Sequence, residues 1–225
     1  MKDALEKKLI IFDMDGTVID SEQDVFLCFS HVLRTKLNIE LTREKFKELA
    51  GMTLDDSYRQ VLPADKKYLA EELTAAYRKR YIDEGHCLDT TVLFDDVRET
   101  LKILKDQGFI LAVASSKHER ALKPIIEKLD LAETFDLIVG SGVKNLKHKP
   151  DPEVLNYILE TLNIVKEDAV MVGDTRIDIE AGKNANIDTI ALTYGYEVQG
   201  KLIECKPTYL IDNFKEIINL LKFKG

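Results

Sequence analysis

The sequence has few cysteines, and none of them forms a recognisable pair. Cys28, Cys87 and Cys205 are odd in number and far apart, and the sequence has no Cys-x-x-Cys motif. Such a set is expected to remain as reduced thiols, since structural disulfides are rare in reducing compartments. The cysteine content therefore predicts a cytoplasmic protein.

The chain also lacks a surplus of positive charge and any long apolar run. Its formal net charge is −8, which argues against a general nucleic-acid binder, because such proteins use basic residues to neutralise phosphates. No segment reaches the roughly 18 apolar residues of a membrane span. The first residues, MKDALEKKLIIF, are too charged for a signal peptide. We therefore expect neither a nucleic-acid nor a membrane partner, whereas local cations can still hold a small anionic substrate.

What remains is the composition of an ordinary globular protein. Hydrophobic residues make up 45% of the chain and charged residues 32%, a balance typical of folded domains. At 225 residues the chain can bury one core, or one core and a small second domain.

Two patterns of apolar residues follow one another from the N-terminus. Leu9–Phe12 is a short apolar run typical of a buried strand. From about Ser21 to Gly85 apolar residues recur at helical spacing, with Thr42 as a candidate N-cap and Gly51 as a candidate helix end. A helical block of about 65 residues is too long for a normal strand–helix loop. It is therefore predicted to be an insertion.

After this block, strands and helices alternate. We expect a strand from Phe109 to about Ala114, then a helix over Lys117–Leu131 with a break near Pro124, and further pairs to the end of the chain. Repeated strand–helix units with continuous apolar strands predict a parallel sheet covered by helices on both faces. The predicted fold class is α/β.

Polar side chains follow the predicted strands where each strand ends. They are Asp13 and Asp15 after the first strand, Ser115, Ser116 and Lys117 after the second, Lys149 in the loop after the third, and Asp174 and Asp178 after the fourth. Ligands of such folds bind at the carboxyl ends of the strands. These groups are therefore expected to converge.

The chemistry of these groups is complementary. Carboxylate oxygens are ligands suited to Mg²⁺, and a divalent cation would compensate the charges of Asp13 and Asp174. Ser115 with Lys117 or Lys149 would suit a phosphate group. Metal, phosphate and carboxylate together indicate phosphoryl transfer, in which a carboxylate can act as the nucleophile.

The same residues resemble a known family. The four ordered motifs of the haloacid dehalogenase-like hydrolase superfamily are matched by Asp13-Met14-Asp15-Gly16-Thr17, Ser115, Lys149-Pro150 and Gly173-Asp174-Thr175-Arg176-Ile177-Asp178. The insertion resembles the helical cap of phosphoglycolate phosphatase-like and β-phosphoglucomutase-like members. The resemblance implies a Rossmann-like parallel sheet flanked by helices, residues 1–19 and 89–225, with an inserted all-helical cap domain, residues 20–88.

The resemblance also implies catalytic roles. Asp13 would be the nucleophile that forms an aspartyl-phosphate, and Asp15 would be the general acid and then the general base. Ser115 would hydrogen-bond the phosphoryl oxygens. Lys149 would neutralise Asp13 and the phosphate together.

Binding roles follow from the same resemblance. Mg²⁺ is the implied cofactor, held by Asp13, by the backbone carbonyl of Asp15 and by Asp174, with Asp178 assisting directly or through water. The expected partner is a small phosphorylated metabolite. The residues expected to bind it are Thr17, Ser115, Ser116 and Lys149.

Several assignments stay open at this point. Lys144 and Lys147 are rivals of Lys149 in the same loop, and Ser116 either contacts phosphate or caps the next helix. Gly51-Met52-Thr53 is either a plain helix end or a loop that faces the substrate. A calcium loop at Asp13 is disfavoured, because that motif has glycine at its sixth position and follows a helix.

The function predicted from these motifs is that of a Mg²⁺-dependent phosphatase, a phosphoric monoester hydrolase acting on a phosphoglycolate-like compound or a sugar phosphate. The alternatives are a β-phosphoglucomutase-like mutase and a pyrophosphatase. Leu49 and Ala50 precede Gly51 where mutases carry basic residues, which favours hydrolysis. A binding protein with an inactive site is the rival from another class, and the intact set of acids argues against it. The sequence leaves the substrate and the oligomeric state open.

Overall fold

The computed structural model describes residues 4–225 and divides the chain into two compact units. One unit comprises the chain up to Asp20 together with Val92–Gly225, and the other is Ser21–Thr91. Within residues 4–225, every helix is too short or too polar to cross a membrane.

All strands of the described residues belong to the first unit. They are β1 (Leu5–Lys7), β2 (Leu9–Phe12), β3 (Ile19–Asp20), β4 (Val92–Leu93), β5 (Ile110–His118), β6 (Leu137–Ser141), β7 (Ala169–Gly173), β8 (Asp188–Leu192), β9 (Tyr209–Ile211) and β10 (Leu221–Phe223). Six of them form one parallel sheet in the order β6-β5-β2-β7-β8-β9. The predicted parallel sheet is thereby confirmed.

Helices occur in both units. The second unit holds α1 (Glu22–Leu37), α2 (Arg43–Lys47), α3 (Leu54–Val61) and α4 (Ala70–Arg78), with 3₁₀ turns at Ala64–Leu69 and His86–Leu88 and a π turn at Lys79–Asp83. The first unit holds α5 (Val97–Asp106), α6 (Glu119–Lys128), α7 (Glu153–Leu162), α8 (Arg176–Asn184), α9 (Gln199–Glu204) and α10 (Ile217–Leu220), with 3₁₀ turns at Lys166–Asp168 and Phe214–Glu216.

The two central strands, β2 and β7, are buried along their whole length. Leu9 and Ile11 of β2 and Met171 of β7 belong to one apolar cluster with Leu155 and Ile158 of α7. Fully burying a side chain of this size contributes about 1.5–3 kcal/mol. The central strands are therefore firmly held, and so are the positions at which they end.

The predicted helical block is confirmed in the second unit. Phe29 of α1 stacks on Tyr58 of α3, with ring centroids 4.0 Å apart. Asp24, in the first turn of α1, is buried and accepts hydrogen bonds from the N–H groups and hydroxyls of Thr90 and Thr91. These bonds tie the start of the unit to its end.

Two threonines cap helices of this unit. Thr42 accepts a hydrogen bond from Lys45 N, as expected for the N-cap of α2. Thr53 does the same for α3, with Asp56 N as the donor. The Gly51-Met52-Thr53 segment thus joins two helices, and its threonine has a capping function.

Two predictions around β5 are wrong in detail. The strand does not end near Ala114 but continues to His118, because it pairs with β6 again after an irregularity and brings His118 opposite Ser141. The helix that follows does not break at Pro124 but runs through it. Proline removes one hydrogen bond there, and the buried face formed by Leu122 and Ile125 keeps the helix continuous.

Short strand pairs close the first unit in a way that the sequence did not indicate. β1 pairs in parallel with β10, and β3 pairs with β4 in antiparallel fashion. Lys224, just after β10, bonds to Asp168 at 2.6 Å. The β1–β10 pair joins the two ends of the described chain.

Candidate active site

The predicted site residues of the first unit converge at the carboxyl edge of three adjacent strands. Asp13 follows β2, Ser115 lies in β5, and Asp174 follows β7. Lys149 comes from the loop between β6 and α7 and brings an ammonium group to the same edge. The parallel order β5-β2-β7 is what aligns these positions.

Lys149 lies at the centre of the acidic residues. Its Nζ donates hydrogen bonds to Asp13 Oδ1 at 2.6 Å, Asp178 Oδ1 at 2.5 Å and the carbonyl of Ala114 at 2.8 Å. An ammonium group has three donors, so these acceptors use all of them. Burial works to lower the pKa of Lys149, but the carboxylates of Asp13 and Asp178 outweigh it and hold that pKa above its ordinary value. Lys149 is therefore a fixed positive charge.

The two rival lysines of the loop lie elsewhere. Lys144 Nζ lies 4.7 Å from the ring centroid of Tyr157. Lys147 forms an exposed ion pair with Asp151 at 3.3 Å. Of the three lysines, Lys149 is the one that contacts the acids.

Asp174 is fully buried, and neutral donors hold both of its carboxylate oxygens. Oδ1 accepts a hydrogen bond from Thr17 Oγ1 at 3.0 Å, and Oδ2 accepts one from Tyr196 N at 2.7 Å. Gly16 lies so close that a Cβ there would fall 2.2 Å from Asp174 Oδ2, and its φ of +82° also favours glycine. Thr17, expected to bind substrate, is itself buried and uses its hydroxyl hydrogen at Asp174.

Asp178 has two sets of contacts. Its Oδ1 accepts from Lys149, while Oδ2 accepts from the N–H and hydroxyl of Thr175 at 3.0 and 2.6 Å. The Thr175 contacts form a capping box at the start of α8. Asp178 therefore stabilises a helix terminus and contributes charge to the site.

The second acid of the first motif lies outside this cluster. Asp15 forms an ion pair with Lys117, whose Nζ lies 3.0 Å from Asp15 Oδ1. Ser115 is buried, and its Oγ accepts a hydrogen bond from Lys117 N at 3.1 Å. Ser116 is exposed and does not cap α6, because the N-cap is His118, whose Nδ1 accepts from Arg120 N.

The charges of the cluster point to a cation. Asp13, Asp174 and Asp178 each offer a carboxylate oxygen, and these oxygens lie within 4.8 Å of one another. Burial, with Asp178 and Asp15 adding to it and Lys149 opposing it, raises the pKa of Asp13 to about 7. Burial, with Asp178 and Asp13 adding to it, holds the pKa of Asp174 well above its ordinary value. Three buried carboxylates facing one ammonium fit a hard divalent cation.

Sequence reasoning missed the donors that hold Asp174. Tyr196 acts through its backbone N–H, which leaves no trace in the type of side chain. Gly195 and Tyr194 lie beside it, directly after β8. The only available signal was a glycine between two tyrosines at a strand end.

Comparisons of the sequence and of the structure with known proteins point to the same kind of enzyme. The model of the haloacid dehalogenase-like hydrolase family matches residues 10–192. A phosphoglycolate phosphatase of Colwellia psychrerythraea is 33% identical over 223 residues, covering 96% of this chain and 98% of that protein. The pyrophosphatase PpaX of Halalkalibacterium halodurans is 30% identical, covering 98% and 100%. A solved structure from Clostridium acetobutylicum, described as "a predicted phosphatase", has a TM-score of 0.82 at 29% identity and covers 96% and 100%.

Proposed function

This chain belongs to the haloacid dehalogenase-like hydrolase family and is a phosphatase, and we propose that it hydrolyses small phosphomonoesters through a phosphorylated Asp13. The observation that carries the proposal is the contact between Lys149 and Asp13, with Nζ and Oδ1 2.6 Å apart. A buried ammonium group at this place offsets the charge of the carboxylate and of an incoming phosphoryl group without reorganisation.

The proposed reaction has two steps. In the first, a carboxylate oxygen of Asp13 attacks phosphorus and the bond to the leaving-group oxygen breaks, while Asp15 gives its proton to that oxygen. In the second, a water molecule gives a proton to Asp15 and its oxygen attacks phosphorus. The bond between phosphorus and Asp13 breaks, inorganic phosphate leaves, and Asp15 is protonated again.

The transferring phosphoryl group needs donors as well as a nucleophile. We propose the Ser115 hydroxyl as a donor, with Ser116 as a further contact, and Lys149 as the positive charge that attracts the phosphoryl group. The hydroxyl oxygen of Ser115 accepts the Lys117 N–H, an arrangement that leaves its hydrogen to donate to a phosphoryl oxygen.

Mg²⁺ is the proposed cofactor. Asp13 and Asp174 would hold it together with the backbone carbonyl of Asp15, and Asp178 would assist. When bound, the ion supplies positive charge to the phosphoryl group during transfer. The support for this proposal is the group of three buried carboxylates with oxygens within 4.8 Å of one another.

We propose 2-phosphoglycolate as the first substrate to test, because the Colwellia psychrerythraea relative is named a phosphoglycolate phosphatase. Pyrophosphate is the second candidate, since the Halalkalibacterium halodurans relative is named a pyrophosphatase. Glucose phosphates complete the panel and also detect mutase activity. A small phosphorylated metabolite is the proposed partner if either of the organic phosphates is the substrate.

The test combines this panel with metal removal and one variant. Phosphate release should require Mg²⁺, stop with excess chelator and resume when Mg²⁺ is restored. Asp13→Asn should fold but show no turnover, because an amide is a poor nucleophile. Rapid quenching with phosphorus-labelled substrate should trap label on Asp13. Label on a serine or histidine, or full activity in excess chelator, would refute the proposal.

Two further parts of the proposal concern the whole chain. We propose that the helical unit Ser21–Thr91 is the cap domain expected from the family, with specificity residues of its own. We also propose that the enzyme acts in the cytoplasm. Within residues 4–225, Cys28, Cys87 and Cys205 form no disulfide, which supports this part of the proposal. Fractionation of cells that produce the protein at native level tests the second part.

A further inference from the structure

The segment Tyr194–Tyr196 follows β8 and lies outside the four family motifs, yet it contacts Asp174 directly. The backbone N–H of Tyr196 donates to Asp174 Oδ2 at 2.7 Å. A Cβ at Gly195 would fall 2.2 Å from Asp174 Cβ and 2.4 Å from Oδ2. The backbone of this segment therefore packs against the Asp174 side chain at a distance that only glycine allows.

Tyr194 contacts the other side of the same carboxylate through Thr17. Its phenolic hydroxyl donates to the carbonyl oxygen of Thr17 at 2.5 Å, and its ring lies against Phe94 with centroids 4.7 Å apart. The Thr17 hydroxyl in turn donates to Asp174 Oδ1 at 3.0 Å. The segment thus holds one oxygen of Asp174 directly and the other through the loop that follows β2.

Asp174 needs this support more than the other two acids of the cluster. Asp13 and Asp178 are each held by the ammonium group of Lys149, whereas the hydrogen bonds that fix Asp174 come from neutral donors. A carboxylate oxygen that accepts one hydrogen bond keeps lone-pair capacity for a cation. One donor on each oxygen therefore fixes the carboxylate plane and still permits coordination.

We propose that Tyr194–Tyr196 is a positioning element that orients Asp174 for a divalent cation. The inference rests on the proposed Mg²⁺ site and adds residues that none of the family motifs contains. Groups that orient a metal ligand typically change metal affinity by about 10–100-fold when they are altered. The segment acts through Asp174 and Thr17, so its members are positioning residues.

Gly195→Ala is the direct test, with Gly200→Ala as its matched control. Neither glycine has φ in the left-handed region, so alanine can adopt the backbone conformation at both positions. The two substitutions then differ in what the new methyl group contacts. At Gly195 the new methyl group must displace Asp174, whereas at Gly200, in α9, a Cβ would meet no atom within 4 Å. Binding of Mn²⁺ to metal-free protein, followed by electron paramagnetic resonance, should weaken by about 10–100-fold in Gly195→Ala. It should not change in Gly200→Ala.

Tyr194→Phe is the second variant, and it keeps the ring on Phe94 while removing the hydroxyl. It should weaken Mn²⁺ binding with little change in Tm. A purely structural role of the Tyr194 hydroxyl would instead lower Tm and leave the affinity for Mn²⁺ unchanged. If Gly195→Ala folds and binds Mn²⁺ like the wild type, the inference is wrong. If Gly195→Ala does not fold, Tyr194→Phe decides, and unchanged affinity there overturns the inference.

The same titration separates this inference from the proposed function. A wild-type protein that binds no Mn²⁺ would refute the proposed metal site and, with it, any positioning role of Tyr194–Tyr196 toward a metal. Wild-type binding combined with unaltered binding in the variants would refute the positioning role alone.

Discussion

Lys117 forms an ion pair with Asp15, with Nζ 3.0 Å from Oδ1 and only 8% of the Lys117 side chain exposed. Asp13, two residues earlier, has its own lysine, Lys149. The negative charges of the two acids that follow β2 are therefore compensated by two different lysines, which come from different segments of the chain. One pair involves the proposed nucleophile and the other the proposed proton carrier.

Lys117→Met should slow turnover by releasing the Asp15 carboxylate from its fixed position. A displacement of about 1 Å at a reacting group can cost on the order of 100-fold in rate, so we expect kcat to fall by about 10–100-fold. The fall should be larger for an alkyl phosphate, whose leaving group needs a proton, than for an aryl phosphate. Steady-state kinetics with both substrates measures the difference.

A double-mutant cycle shows whether Lys117 acts through Asp15. In the Asp15→Asn background Lys117→Met should cost little more, because its partner is already altered. Lys147→Met is the matched control, since Lys147 lies in an exposed pair with Asp151. Additive losses in the double variant would mean that Lys117 acts independently of Asp15.

Lys149→Met should both destabilise and inactivate the protein. The ammonium group contacts Asp13 and Asp178 and is almost entirely buried. Removing one partner of a buried ion pair typically costs about 3–5 kcal/mol, and here two carboxylates lose their partner. Urea unfolding of the metal-free protein measures the cost. Lys144 is exposed, so the free energy of unfolding of Lys144→Met should stay within about 0.5 kcal/mol of the wild-type value. Equal free energies of unfolding for Lys149→Met and Lys144→Met would contradict the assigned role of Lys149.

The strand ends could be predicted from sequence because continuous apolar runs identify buried parallel strands. Leu9–Phe12 and Ala169–Gly173 are such runs, and each is followed by an acid of the site. The fold class and the positions of Asp13 and Asp174 therefore followed from local patterns. Lys149 could be preferred over its neighbours only by resemblance, since all three lysines share one loop.

The contacts that sequence did not predict depend on pairing between distant segments. The partner of Asp15 was not assigned, because β5 had to extend to His118 before Lys117 could be placed. The strand pair β1–β10 joins segments more than 200 residues apart, and no local pattern indicates it. The donor from Tyr196 is a backbone group, which every residue except proline has.

Asp24 should make the stability of the helical unit depend on pH. Burial acts to raise its pKa, but hydrogen bonds from Thr90 and Thr91 outweigh burial and lower that pKa below the ordinary 3.8. A group with a lowered folded pKa stabilises fully above its unfolded value, and this contribution disappears as pH falls through the folded pKa. Asp24→Asn should therefore cost about 1–3 kcal/mol at pH 7, and the difference from wild type should shrink below pH 3.8.

Urea unfolding of wild type and Asp24→Asn at neutral and acid pH measures this effect. Asp65→Asn is the control, because Asp65 is exposed in the same unit. A stability difference between Asp24→Asn and wild type that stays constant down to the lowest pH would show that the carboxylate charge is unimportant.

Asp15→Asn separates the proposed proton carrier from the proposed nucleophile. It should keep divalent-cation binding, because the proposed ligand at this position is the backbone carbonyl, and it should slow the chemistry by about 10²–10⁴-fold, the usual contribution of general acid–base catalysis. Asp106→Asn, which alters an exposed carboxylate on α5, should leave the rate unchanged.

The leaving group of an aryl phosphate departs without much protonation, so Asp15→Asn should still form the phosphorylated Asp13 in one fast turnover. Hydrolysis of this intermediate lacks its base and should nearly stop, which gives a burst of aryl alcohol followed by a very slow phase. An alkyl phosphate should give no burst, because its leaving group must be protonated. If the variant instead slows both substrates equally and shows no burst, Asp15 does not carry the proton, and its pairing with Lys117 has a structural purpose only.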